Sequence, residues 1–166
     1  MEPRHLLSPF AIPFFLLATA AHADSPPMDL ATFPRAALEV VQHAGGSQRR
    51  FHFDVWVADT PARAEQGLMY VRDLPADRGM VFPFAPARVE NFWMKNTYIE
   101  LDLLFIAADG HVVKIISRAA PLRLDLLSSD VPVGAVLELR GGEAGLLGIR
   151  VGDHVSWKLV ANRPAS

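Results

Sequence analysis

Two apolar runs, Leu101 to Ala107 and His111 to Ser117, stand on either side of Asp109-Gly110. That dipeptide suits a two-residue type I′ turn, whose twist matches that of paired strands. The chain is therefore predicted to double back here as a β-hairpin. A turn of this type sets Ile106 opposite Val113, Leu104 opposite Ile115 and Asp102 opposite Ser117. The other face carries Leu101, Leu103 and Phe105 against Val112 and Ile116. A hairpin apolar on both faces needs a covering layer on each side, so it belongs in the middle of a layered β-fold. Asp102 would then lie at its open end.

Just upstream, the aromatic run Asn91 to Met94 meets a polar elbow, Lys95-Asn96-Thr97, before Leu101 begins the hairpin. Runs this rich in aromatic and branched residues read as strands, with the elbow as their connection. Elsewhere the signals are shorter. Leu38 to Val41 is predicted as a strand, and Gly45 to Gln48 as a turn. Phe51, Phe53, Val55 and Val57 alternate with polar neighbours, the pattern of a half-buried strand. Thr60-Pro61 is an N-cap followed by proline at the first helical position, and Gly67 is a fitting stop, which predicts a helix over 61–66. Gly79 to Phe82 is a short strand closed by Pro83. Residues 119–132 read as loop and Val136 to Leu139 as strand. Gly141 to Gly148 allows one or two helical turns ending at Gly148. A last strand carries Val155, Trp157 and Leu159 on one face. Eight or so short strands separated by turns describe an all-β sandwich or barrel with one or two short helices.

The totals exclude several functions. The 166 residues have room for one domain and a short extension, and 51% of them are hydrophobic, enough for a real core. A formal charge of −2 and a pI near 6.3 leave no basic stripe, so no nucleic-acid partner is expected. Without a cysteine there is no disulfide, no thiolate nucleophile and no cysteine-held metal. Residues 1–23 read as a signal peptide: Arg4 and His5, then the apolar run 10–18, then Ala21-His22-Ala23. The apolar run is shorter than the roughly 20 residues a membrane span needs and is broken by Pro13. Cleavage after Ala23 and a periplasmic or secreted location are expected. The mature chain would comprise a flexible leader over 24–36, a β domain over 37–161 and a loose tail over 162–166. It would be monomeric and free of the membrane.

Six motifs occur in order: Arg63-x-x-x-Gly67-Leu68-Met69, Gly79-Met80-x-Phe82, Phe92 to Thr97, Leu101-Asp102-x-x-Phe105, Val136-Leu137-Glu138 with Gly141, and Gly152-Asp153. Together they resemble the DUF192 family, also called UPF0127 or COG1430, from about Phe51 to Val160. The resemblance implies a compact β-sandwich of jelly-roll type, often exported, in a bacterial and archaeal family without an assigned biochemical function. Two positions depart from the family pattern. Glu100 stands where proline usually precedes Leu-Asp, and Ala135 where an aromatic residue usually precedes Val-Leu-Glu.

Asp102 and Glu138 are the two carboxylates inside strands. Such a pair could act as acid and base on a glycosidic bond, but a buried acid is more often tied to an arginine or to backbone N–H groups. Arg63, Arg72, Lys95 and Thr97 are the partners expected. Arg63, Trp93, Lys95, Asn96, Thr97, Asp102 and Glu138 are the candidate residues for binding a small polar or envelope-derived ligand beside the elbow. Two other readings stay open. One is a carbohydrate-active hydrolase using Asp102 and Glu138. The other is a periplasmic Cu(I) carrier using Met69, Met80 and Met94, because thioethers are soft ligands. No cofactor is expected.

Overall fold

The computed structural model describes residues 26–44 and 46–160. The signal segment 1–23, its cleavage site, Asp24 at the head of the leader, Gly45 and the tail 162–166 lie outside them. Nine strands follow in order: β1 (Arg35–Ala44), β2 (Ser47–Val57), β3 (Arg78–Arg88), β4 (Asn91–Phe92), β5 (Leu101–Ile106), β6 (Val112–Ala119), β7 (Leu127–Ser128), β8 (Val133–Arg140) and β9 (His154–Val160). Two short helices, α1 (Pro61–Gln66) and α2 (Glu143–Leu147), interrupt them. Seven strands form one sheet in the order β6-β5-β8-β3-β2-β1-β9, and β4 pairs with β7 in a small second sheet. Among the described strands only β2 and β3 run parallel, through the connection that contains α1.

The large sheet curls until its two edges touch. His111, just before β6, bridges His154 at the start of β9, and Val112 N donates to Asp153 O at 2.8 Å. Inside the curl lies one apolar core, with Leu38, Val40, Phe53, Val55, Val81, Leu104, Leu137 and Val155 among its members. The outer face of β3, β5 and β8 carries a second core, where Met80, Phe82, Leu103, Phe105 and Val136 pack under Phe33, Leu68, Leu74 and Met94. All six residues of β5 are buried, because both faces of that strand are covered.

The predicted hairpin is present, with a different turn. Gly110 is left-handed at φ 92°, but Asp109 is not. Gly110 N donates to Ala107 O and Ala107 N donates to His111 O, so Ala108 and Asp109 form the turn and Gly110 a bulge after it. Ile106 therefore pairs with Val112 rather than Val113, while Leu104 still faces Ile115. Helix α1 and its cap are as read: Thr60 Oγ1 accepts from Arg63 N, and Gly67 ends the helix at φ 51°. Gly148, at φ 74°, ends α2.

Several boundaries differ; β2 already begins at Ser47, inside the expected turn, and β7 lies inside the expected loop. β1 begins at Arg35, and Phe33 in the leader is completely buried in the outer core, with Arg63 stacked over its ring at 5.5 Å. β3 continues through Pro83 and Pro86 to Arg88. It can do so because β2 pairs with it only as far as Val81, so the prolines lie where β3 has lost that neighbour and the ladder to β8 is irregular. The elbow does connect two strands, β4 and β5, but the first is shorter than expected. Residues 93–100 form a loop, and only Asn91 and Phe92 pair, with Ser128 and Leu127.

Candidate functional site

In an antiparallel pair, neighbouring residues point to opposite faces. Leu103 pairs with Glu138 and Asp102 with Leu139, which sends the two acids to opposite sides of the sheet. The catalytic pair required for a two-carboxylate hydrolase is therefore not assembled.

Asp102 is fully buried, and its carboxylate accepts four hydrogen bonds. Oδ1 receives Ser117 Oγ at 3.1 Å, Arg118 N at 2.8 Å and Gly142 N at 2.8 Å, while Oδ2 receives Ala144 N at 2.9 Å. Gly142 and Ala144 open helix α2, so Asp102 caps that helix and ties it to the β5–β6 bulge at Arg118. The partners are backbone amides, one of the two kinds expected, and a hydroxyl; the side chains of Arg63, Arg72, Lys95 and Thr97 are not among them. Ser117, expected opposite Asp102, reaches it through its hydroxyl, although the ladder is bulged between Leu101 and Leu103. Asp102 is a structural acid.

Glu138 is the opposite case. It is only 5% exposed, and its Oε2 has no hydrogen-bond partner. Burial alone pushes its carboxyl up from the usual range to about 8, so it is largely neutral at pH 7. It lies on the wall of a cleft of about 260 Å³. Gln66, Gly67 and Met69 from the end of α1 form one side of that cleft, and Phe82, Phe84 and Arg88 of β3 another. Phe92, Trp93 and Thr97 complete the rim. The rings interlock edge to face, Phe82 with Phe92 at 5.1 Å and Phe84 with Phe92 at 6.5 Å. Gly67 lets the chain leave α1 close to this wall: a Cβ there would come within 3.3 Å of Phe82 Cζ.

The elbow supports the cleft from outside. Thr97 is buried and donates its hydroxyl to Lys95 O at 3.2 Å, and Thr97 N donates to Met94 O at 3.1 Å. Asn96, in the left-handed region at φ 53°, bonds Tyr70 twice. Its Nδ2 donates to Tyr70 Oη at 3.0 Å, and its carbonyl accepts from Tyr70 N at 2.8 Å. Lys95 is exposed with Nζ 5.3 Å from the Trp93 ring, and Trp93 itself is 44% exposed.

Of the seven candidates, Trp93, Thr97 and Glu138 share the cleft. Asn96 and Lys95 brace it. Arg63 is elsewhere, paired with Asp59 at 2.6 Å and donating to Thr32 O at 3.2 Å, so it pins the leader to α1. Arg72, the other arginine expected to pair an acid, stacks over Tyr98 at 4.6 Å. Met80 and Met94 are fully buried core residues and Met69 borders the cleft, so two of the three thioethers needed for copper are packed away from any open surface. Among the described residues no group of three or more His, Asp or Glu side chains could hold a metal. Phe84, Arg88 and Glu90 were not candidates in the sequence, because Pro83 reads as the end of a strand. The aromatic residue two places beyond Phe82 was the signal that could have placed them.

About half of the residues that line this cleft are motif residues: Gly67, Leu68 and Met69, Phe82, Phe92 and Trp93, Thr97, and Glu138. The DUF192 family model, described as uncharacterized ACR, COG1430, matches residues 40–157. The chain belongs to the DUF192 family. Two solved structures are similar to it. One is a proposed transcription regulator from Sinorhizobium meliloti 1021, 38% identical with a TM-score of 0.72, covering 75% of this chain and 95% of that one. The other is a protein of unknown function from Novosphingobium aromaticivorans DSM 12444, 36% identical with a TM-score of 0.72, covering 84% of this chain and 97% of that one. No curated protein matches the chain. The DUF192 motifs thus divide into two sets. Leu101-Asp102 builds the frame, while those around Met69, Trp93 and Glu138 build the cleft.

Proposed function

We propose that this DUF192 domain binds a small polar ligand in the Glu138 cleft beside the elbow, and that the chain is exported through its first 23 residues. The observation that carries the binding reading is the Glu138 carboxyl, buried without a partner for Oε2 on the wall of an open cleft. Leaving such a group unpaired costs about 1–3 kcal/mol. A cost of that kind is understandable where a ligand supplies the missing bond. The aromatic wall and the few polar groups around it have the composition of a small-molecule site.

The Sinorhizobium protein's description does not transfer easily. A nucleic-acid reader needs a basic footprint, whereas this chain carries a net charge of −2. The hydrolase reading ranks lower because Asp102 is committed to α2. Export is supported by the basic start, the short proline-broken apolar run and Ala21-His22-Ala23.

A thermal-shift screen of the purified protein against small polar metabolites tests the binding reading, since a ligand that binds only the folded form raises the melting temperature. A ligand should raise the melting point of the parent and lose that effect in Trp93→Ala. A panel without a single hit, or hits indifferent to Trp93, would count against the cleft. N-terminal sequencing of periplasmic material should begin at Asp24; an intact, membrane-pelleted chain would refute export.

A further inference from the structure

Granting that the cleft is a ligand site, we infer that its ligand carries a positive charge: a small organic ammonium whose head pairs with Glu138 and whose apolar body lies on the aromatic wall. Three carboxyls line the cleft, those of Glu65, Glu90 and Glu138, against one cation, Arg88. Arg88 is already committed. Its Nε pairs with Glu90 Oε1, and its guanidinium stacks over Phe84 at 4.9 Å. Among the described residues no lysine, arginine or histidine forms an ion pair with Glu138, so a charge on it would have to be balanced by something outside the protein.

The three possible ligand charges fare differently here. An anion would be brought against the acidic side chains of Glu65 and Glu90, where like charges repel at close range, and it would meet Glu138 only in its protonated form. A neutral ligand could complete one hydrogen bond, but the acid would stay un-ionised. An ammonium allows Glu138 to ionise and form a charge-assisted bond, about twice as strong as a neutral one. It also gains from aromatic faces, which attract cations. That attraction is already visible at the rim, where Lys95 rests over Trp93 and Arg88 over Phe84. The cleft volume, about 260 Å³, suits a single ring or a short chain.

Benzylammonium, benzyl alcohol and benzoate share one ring and differ in charge, so calorimetric titration of the full chain with each separates the cases. Benzylammonium should bind at least ~10-fold more tightly than benzyl alcohol, with benzoate weakest. Glu138→Gln should abolish that advantage, so that benzylammonium binds no more tightly than benzyl alcohol. If Glu138→Gln fails to fold, Trp93→Ala at the exposed rim must weaken benzylammonium instead, and an unchanged affinity would overturn the inference. Benzyl alcohol or benzoate binding as well as benzylammonium would also overturn it, while leaving the cleft as a ligand site. Failure of all three to bind would remove both the charge preference and the cleft reading on which it rests.

Discussion

Asp102 and Glu138 show how the same functional group takes opposite roles one residue apart in register. Asp102 meets four donors and stays, as a carboxylate acceptor, at the head of α2. Asp102→Asn puts an amide where an acceptor is required, so Gly142 N or Ala144 N loses its bond. We expect a loss of about 3 kcal/mol in chemical denaturation. A variant as stable as the parent would show that α2 does not depend on this cap. Glu138 carries no compensating bonds at Oε2. Its folded pKa, pushed up to about 8, exceeds that of the unfolded chain, so the folded state holds the extra proton between roughly pH 4.5 and 8. Its contribution to stability is therefore complete below about 4.5 and is lost as pH rises through 8. Glu138→Gln removes this dependence. The variant should gain on the parent by up to about 1.4 kcal/mol per pH unit across that window, as measured by denaturation at several pH values. A constant difference from pH 5 to 8 would refute the desolvated acid.

At the scale of elements, the β5–β6 turn is held by Gly110 more than by Asp109. A Cβ at Gly110 would lie 2.6 Å from His154 Nε2 and 2.9 Å from Val155 O, at a φ of 92°. Gly110→Val thus disturbs both the turn and the seam where the curled sheet closes on β9. We predict a loss of about 2 kcal/mol or more in thermal or denaturant melting. An unchanged stability would mean that the seam is not held at this point. The hairpin was legible because periodicity and turn chemistry agree there. The bulge was not, since the choice between a two-residue turn and a turn with a glycine bulge depends on how β6 meets β9. Local rules also mis-set β3, where Pro83 and Pro86 are tolerated only because β2 has ended alongside. In the leader, Phe33 docks into a core that no local pattern reveals. Phe33→Ala should cost about 3–4 kcal/mol, measurable by denaturation, if that docking contributes to the fold as its burial implies.

For the molecule as a whole, the two cores divide the work. The inner core closes the curled sheet, and the outer core carries α1, the elbow and the β4–β7 pair that frame the cleft. The strand-rich architecture, the helix caps and three of the cleft residues could be read from spacing and motif. The separation of Asp102 from Glu138 could not, because it depends on which residue of β8 faces which residue of β5. The account turns on Glu138 being a neutral, unpartnered acid at the cleft, and a pH titration of its side-chain carboxyl carbon by NMR reports on that state directly. The carboxyl should remain protonated at pH 6 and lose its proton near pH 8. A midpoint at 4.5, the ordinary value for a solvated glutamate, or below it, as for one paired with a cation, would contradict it.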